Sequence, residues 1–282
     1  MPQTKPYKVY YTASEVKAKL GITDGQLYNY VRYGHLERVI PPGRKQGVFK
    51  REEVDKFALE MQTFLSGNTE AKRFTFTNVT ARDVPENVKV TQSVFGNNTG
   101  ITVAKRTAWV EKNSDVSYQL CIDGAVIGCG TILPLRPERI EQILRGEVNS
   151  EDTTPDEIEV YEPGRTYHLY VMGLCVSPLL SKQEKRLYGA KLVRGLSEVI
   201  INLGKSGIEV ETITARSMMF DGVRILRHLG FTQIPSITNN VNFRIEVDKA
   251  DNVPLIQDYK RVLKEQQKTR RSKTKEHVKA LT

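Results

Sequence analysis

The stretch from Tyr167 to Phe231 constrains this chain more than any other. An apolar run, Tyr167–Ser177, is followed by a tight basic turn. A helical pattern then runs from about Gln183 to Leu203, with Leu187, Ala190, Val193, Leu196, Val199, Ile200 and Leu203 at helical spacing. A second apolar run, Ile208–Ala215, precedes a helix that ends in Leu229-Gly230-Phe231. Strand, basic turn, helix and strand is an arrangement that holds an anionic cofactor against a sheet. Helix N-termini present unpaired N–H groups to anions, and glycine allows close backbone approach.

The flanks add a hairpin and more helices. Ser117–Ile122 and Ala125–Leu133 are joined by Asp123-Gly124, the strongest short hairpin signal. Arg73–Thr80 alternates as a strand. Helices are predicted from Asp83 to about Phe95, over Thr102–Lys112 with Trp109 as a packing anchor, and over Pro137–Arg145. Gly146–Gly164 is rich in Asp and Glu and reads as a solvated loop, with a substrate-side flap as the alternative. Val253–Leu263 reads as one helix. Lys264–Lys279 is basic and polar and is expected to be disordered alone, ready to meet phosphate.

The N-terminal 62 residues have a different character. Thr12 and Glu15 form a capping-box pattern, Val16 and Leu20 share a face, and Gly21 ends that helix. Thr23 or Asp24 caps a second helix with Leu27 and Val31 inward, which turns Gln26, Tyr28, Asn29 and Arg32 outward. A Pro/Gly/basic tip with Arg44 and Lys45 separates two apolar ends, and Arg51 opens a third helix. These features, over about residues 8–60, resemble the winged helix-turn-helix of MerR-type regulators and phage excisionases. The resemblance implies that the 23–33 helix enters a major groove of double-stranded DNA and that the wing touches the neighbouring backbone or minor groove. The chemistry agrees. Gln26 and Asn29 can read adenine, Arg32 can read guanine or hold phosphate, and Arg44 and Lys45 can meet phosphate. Tyr28 lies on the same exposed side. One such module buries little DNA, so a dimer or an array of protomers is expected.

From residue 73 to 247 the order of elements resembles the GNAT family of acyl-CoA-dependent N-acetyltransferases. The residues that carry it are Leu174-Cys175-Val176-Ser177-Pro178, Arg186-Leu187-Tyr188-Gly189-Ala190 and Gly222–Phe231. The resemblance implies acetyl-CoA or another acyl-CoA as cofactor, with Arg186 and Gly189 in the Q/R-x-x-G-x-G/A pyrophosphate loop. Leu174 and Val176 would line the cofactor, and Lys182, Lys185 and Lys191 would add charge. Lys191 departs from that motif at its sixth position. Leu226 stands where many members carry the tyrosine that protonates the leaving thiolate, and Met219 where many carry asparagine. Leucine cannot donate a proton, so no catalytic residue is assigned; His168, Tyr170 and Glu159 are the available bases.

Together these readings give an α+β two-domain chain. A winged helix-turn-helix (1–62) and a linker (63–72) precede a mixed-sheet GNAT-like α/β domain (73–247) and a basic C-terminal helix and tail (248–282). Charge fits this division. Residues 1–62 hold 11 Lys/Arg against 7 Asp/Glu, residues 246–282 hold 10 against 6, and the middle is nearly neutral. Positive ends suit a polyanion. No 18-residue apolar run exists, the start lacks a signal-peptide core, and no membrane partner is expected. The expected location is the cytoplasm, in association with the nucleoid. Cys121, Cys129 and Cys175 have no C-x-x-C spacing and read as reduced core residues, not as a metal site. Two functions compete: a DNA-binding regulator or architectural factor with a GNAT-like half, and an N-acetyltransferase brought to DNA to modify a protein or small amine. An RNA-directed acetyltransferase is a third and weaker reading, permitted by the basic tail alone.

Overall fold

A computed structural model describes residues 9–32, 34–43, 46–66, 74–96 and 99–281, with side chains described outside 59–66 and 271–281. The chain divides into two compact units, Met1–Lys72 and Arg73–Thr282.

In the smaller unit, β1 (Tyr10–Tyr11) leads into α1 (Ala13–Leu20) and α2 (Asp24–Arg32). The strands β2 (Arg38–Val39) and β3 (Val48–Lys50) follow, then α3 (Arg51–Ser66). The strands form an antiparallel sheet in the order β1-β3-β2. Thr12 and Glu15 close the expected capping box, and Gly21 ends α1 at φ 64°. Val16, Leu27, Leu36, Phe49 and Val54 make a small core. Helix α3 runs to Ser66, so the first four residues of the expected linker are helical. The rest of that linker and the wing-tip residues Arg44 and Lys45 lie outside the described residues.

The larger unit is a mixed α/β structure. Its elements are β4 (Phe74–Asn78), α4 (Val84–Phe95), α5 (Val103–Lys112), β5 (Ser117–Ile122), β6 (Ala125–Pro134) and α6 (Pro137–Arg145). Then come β7 (Thr166–Val176), α7 (Lys182–Lys205), β8 (Glu209–Ser217), α8 (Phe220–His228), β9 (Thr232–Ile234), β10 (Val241–Glu246) and α9 (Pro254–Leu281). The seven strands line up as β4-β5-β6-β7-β8-β10-β9. Among the described residues, only β7 and β8 run parallel; every other neighbouring pair is antiparallel. This is the element order that the resemblance implies. The hairpin turn has Asp123 at φ 49° and Gly124 at φ 84°, the left-handed pair that a two-residue turn demands.

Strand residues alternate between two cores. Leu169, Ile213 and Phe243 face α7 and α9, together with Leu196, Ile200, Ile256 and Tyr259. Tyr170 and Leu133 face α4, α5 and α6, around a fully buried Trp109. Helix α7 lies close to the sheet at Gly195, where a Cβ would stand 2.5 Å from the Phe76 ring. Phe76 in turn stacks on Tyr118 at 5.7 Å. Gly195→Ala is expected to cost about 1–3 kcal/mol through overpacking, more than the roughly 1 kcal/mol that alanine adds to a helix. Urea denaturation of the variant checks this, and Phe76→Leu in the same chain should restore part of the loss.

Two expectations are corrected. The acidic 146–164 segment is packed down, not solvated. It forms two short 3-10 turns, Ser150–Asp152 and Pro155–Glu157, and buries Ser150, Thr153 and Ile158. The Trp109 indole donates to the Thr153 carbonyl at 3.0 Å, and Asn113 Nδ2 to the Glu159 carbonyl at 2.7 Å. The acidic side chains can face water while the backbone is held from beneath. The basic tail is helical as well: α9 is one 28-residue helix. Val253 and then Ile256, Tyr259 and Val262 in α9 sit in the core, and this anchored start carries the polar continuation.

Candidate functional site

The parallel pair β7 and β8 does not stay paired. Its ladder runs from Thr166↔Glu209 to Val171↔Ala215 and stops. Strand β8 goes on to Ser217, held by β10 on its other side, and β7 goes on to Val176, held by β6. Residues 172–176 therefore lie in mid-sheet with no ladder on the β8 side. Each strand residue has one N–H and one C=O to satisfy, so this edge offers backbone donors and acceptors to an extended ligand.

A bulge sits at the same point. Val171 opposes Ile132 and Gly173 opposes Thr131, which leaves Met172 without a partner on β6. Bulges bend a strand, increase its twist and re-aim backbone groups, and they are common beside active sites. Both strands end at the same side of the sheet, where α7 and α8 begin. In open α/β sheets that side holds ligands. Exposed apolar side chains stand there: Leu179, in the loop before α7, is 95% exposed, and Phe220, the first residue of α8, 78%.

The start of α7 differs from the expected phosphate loop. Ser181 caps the helix, accepting from the Glu184 N–H while Glu184 accepts from the Ser181 N–H. Helix α7 thus starts at Lys182, and Arg186 and Gly189 lie inside it. From Arg186 onward, α-helical geometry commits each backbone N–H to the carbonyl four residues earlier. The reading of Arg186 and Gly189 as a backbone cradle is therefore corrected: the serine cap starts the helix ahead of the motif. The cap leaves the amides of Lys182 and Gln183, at the positive end of the helix dipole. Lys182 and Arg186 are exposed and Lys185 is half-buried. At Gly189 a Cβ would meet nothing within 4 Å.

Lys191 is also displaced from its expected role. Its Nζ lies 3.6 Å from the centre of the Phe74 ring, on the edge strand β4. Strand β4 is three places from β7, roughly 14 Å at the usual strand spacing. Burial, then Arg194, pushes the Lys191 ammonium pKa down. Leu174 and Val176 turn their half-buried side chains toward α7, packing with Leu120, Tyr188 and Leu192. What they can give a ligand is backbone.

None of the three expected bases lines the opening. His168 lies three residues before the β7–β8 ladder ends. Its Nδ1 is 3.0 Å from Thr212 Oγ1 and its Nε2 3.9 Å from Glu211. It borders a separate cavity of about 500 Å³ with Glu141, Arg244 and Lys249. Tyr170 is fully buried, and burial raises its pKa. Glu159 pairs with Arg165 at 3.6 Å. Leu226 packs half-buried on the α7-side core. Met219, 70% exposed, is the residue before α8, and its N–H donates to Ser217 Oγ at 3.1 Å.

In the smaller unit, Gln26, Tyr28, Asn29 and Arg32 are all exposed on α2. Gln26 is partly committed: its Oε1 accepts from the Thr23 N–H at 2.9 Å, as the acceptor of a second capping box. That bond occupies the side-chain oxygen and leaves the side-chain amide N–H groups. Sequence reasoning counted Lys182 among the charges at this turn but missed the Met172 bulge and the early start of α7. The Ser181-x-x-Glu184 pattern was the available signal for that start.

No family model and no curated protein matches the chain. Solved structures that it resembles include the loading GNATL domain of CurA from Lyngbya majuscula, at 12% identity, with 62% of this chain and 98% of that one covered and a TM-score of 0.45. An N-acetyltransferase from Staphylococcus aureus has 12% identity, the same coverage and a TM-score of 0.41. Ard1 from Thermoplasma volcanium has 9% identity, 61% and 97% coverage and a TM-score of 0.39. Among the described residues no helix is long and apolar enough to cross a membrane, and no cluster of His, Cys, Asp and Glu is suited to a metal.

Proposed function

We propose that the chain is a double-stranded-DNA-binding protein whose larger unit holds an acyl-CoA in the opening between β7 and β8. The observation that carries the cofactor reading is the one-sided backbone of residues 172–176, interrupted by the Met172 bulge. The residues fit the group. An acyl-CoA carries an amide-bearing arm that can pair with an open strand edge, and phosphates that suit a helix N-terminus. Lys182 and Lys185 side chains, with the Lys182 and Gln183 amides, replace the glycine cradle. Bound there, the cofactor would supply an activated thioester. The bulge supports a second reading, acyl transfer to a protein or small amine, because an N–H freed from the ladder can stabilise charge on a reacting carbonyl. In that reading Leu226 supplies no proton to the departing thiolate.

The DNA reading draws on the exposed face of α2 and its resemblance to winged helix-turn-helix regulators. Adjacent protomers on one site would supply the area that a single module lacks.

Calorimetry with acetyl-CoA tests the first half. Binding is expected to weaken about tenfold or more in Lys182→Glu/Lys185→Glu, because two attractive charges become repulsive. Absence of heat with acetyl-CoA and with longer acyl-CoAs removes the cofactor reading. Fluorescence anisotropy on labelled duplex tests the second half. Binding should fall with salt and lose sequence preference in Gln26→Ala/Asn29→Ala/Arg32→Ala. Unchanged specific binding by that variant removes the recognition-helix assignment.

A further inference from the structure

On the α4 face of the sheet, Cys129 and Cys175 stand directly opposite each other on β6 and β7. Opposed residues of an antiparallel pair have Cα atoms about 4.5–5.5 Å apart, inside the roughly 4.4–6.8 Å that a disulfide spans. Beside them lies Arg106 of α5, 3% exposed. Its Nη1 donates to Asn87 Oδ1 and to Thr91 Oγ1 at 3.2 Å, and its Nε has no partner among the described residues. Among the described residues, the ionisable groups that act on Arg106 are the two thiols. A buried guanidinium is costly without a counter-charge. Here the available anion is a thiolate.

The two sulfurs are not equivalent. Cys129 Sγ donates to the Asn87 carbonyl at 3.4 Å and keeps its proton. The Cys175 pKa is lowered, first by the adjoining Cys129 and then, against burial, by Arg106. The Cys175 backbone lies in the part of β7 that has no β8 partner, and the residue, 7% exposed, is less buried than Cys129 at 3%.

We propose that Cys175 and Cys129 form a hydroperoxide-reactive thiol pair, Cys175 attacking and Cys129 resolving, with Arg106 as the buried counter-ion. Cys175 thiolate attacks one peroxide oxygen. The O–O bond breaks, an S–O bond forms, hydroxide leaves and two electrons pass from sulfur to peroxide. The Cys129 sulfur then attacks the sulfenic sulfur. An S–S bond forms, the S–O bond breaks, and the Cys129 proton leaves with hydroxide as water. The crosslink ties β6 to β7 beside the bulge and removes the anion that balances Arg106.

The test treats the full folded chain, carrying Cys121→Ser, with hydrogen peroxide and follows thiol loss by intact mass and non-reducing peptide mapping. The expected product is a Cys129–Cys175 disulfide. In Cys129→Ser, dimedone should trap a sulfenic acid at Cys175, and in Cys175→Ser none should form at Cys129. Arg106→Met should slow oxidation about tenfold or more, because the thiolate loses its cation. If that variant does not fold by circular dichroism, the trapping result in Cys129→Ser decides. The proposal is overturned if the folded protein gives no disulfide, if the adduct falls on Cys129, or if folded Arg106→Met reacts at the parent rate.

Discussion

Deletion of Met172 is expected to leave a folded chain that no longer holds an acyl-CoA. Val171 and Leu174 both face the α7-side core although they are three positions apart. Regular alternation forbids that, and the extra residue allows it. Without Met172 the partners of Ile132 and Thr131 become consecutive, so both ends of β7 keep their faces and their register. The cost is the half-buried Met172 side chain, about 1–2 kcal/mol. The gain is a straighter strand that loses the bend at the opening. Binding of acetyl-CoA by calorimetry should fall more than tenfold, with far-ultraviolet circular dichroism unchanged. Met172→Ala keeps the bulge and should keep the affinity. Parent-like binding by the deletion would mean that the ligand sits elsewhere.

What the sequence shows of this site, and what it hides, follows from where the determinants lie. The strands and helices between Tyr167 and Phe231 are legible because each carries its own period and its own stop signals. Asp123-Gly124 is legible because two left-handed residues in a row admit few alternatives. The bulge is not legible, since it is a mismatch with β6 and no residue of β7 announces it; Gly173 beside it is a weak sign. The divergence of β7 from β8 is likewise a property of a pair. At the start of α7 two local patterns compete. Arg186-x-x-Gly189 suggests a loop, but Ser181-x-x-Glu184 closes two hydrogen bonds at once and sets the helix start. In the tail, polarity suggests disorder. Lys, Arg, Gln and Glu are good helix formers, however, and need only an anchored first turn.

That anchor makes Tyr259 the position where a single change in α9 should matter most. Tyr259 is 1% exposed, and its hydroxyl closes a bridge to β8. It accepts from the Val210 N–H at 2.6 Å and donates to the Ile208 carbonyl at 2.9 Å. At Gly204 of α7 a Cβ would lie 3.0 Å from the Tyr259 ring, so the two helices leave little room to adjust. Tyr259→Ala opens a cavity and orphans both backbone groups, an expected loss of about 3–5 kcal/mol. Tyr259→Phe keeps the packing and orphans only the polar pair, about 1–3 kcal/mol. A chain ending at Asn252 loses Ile256, Tyr259 and Val262 together and should not hold the α7-side core. The phenol adds a pH signature. Burial, partly opposed by the Val210 bond, raises its pKa to about 12, against about 10 in the unfolded chain. Between these values the unfolded chain has lost a proton that the native one keeps, so stability falls as pH rises above about 10. Tyr118 and Tyr170, raised by burial, act in the same direction. Urea denaturation from pH 8 to 11 should show that decline in the parent and a shallower one in Tyr259→Phe. Equal slopes would mean that the hydroxyl is not buried against β8, and that the helix sits less firmly on the sheet.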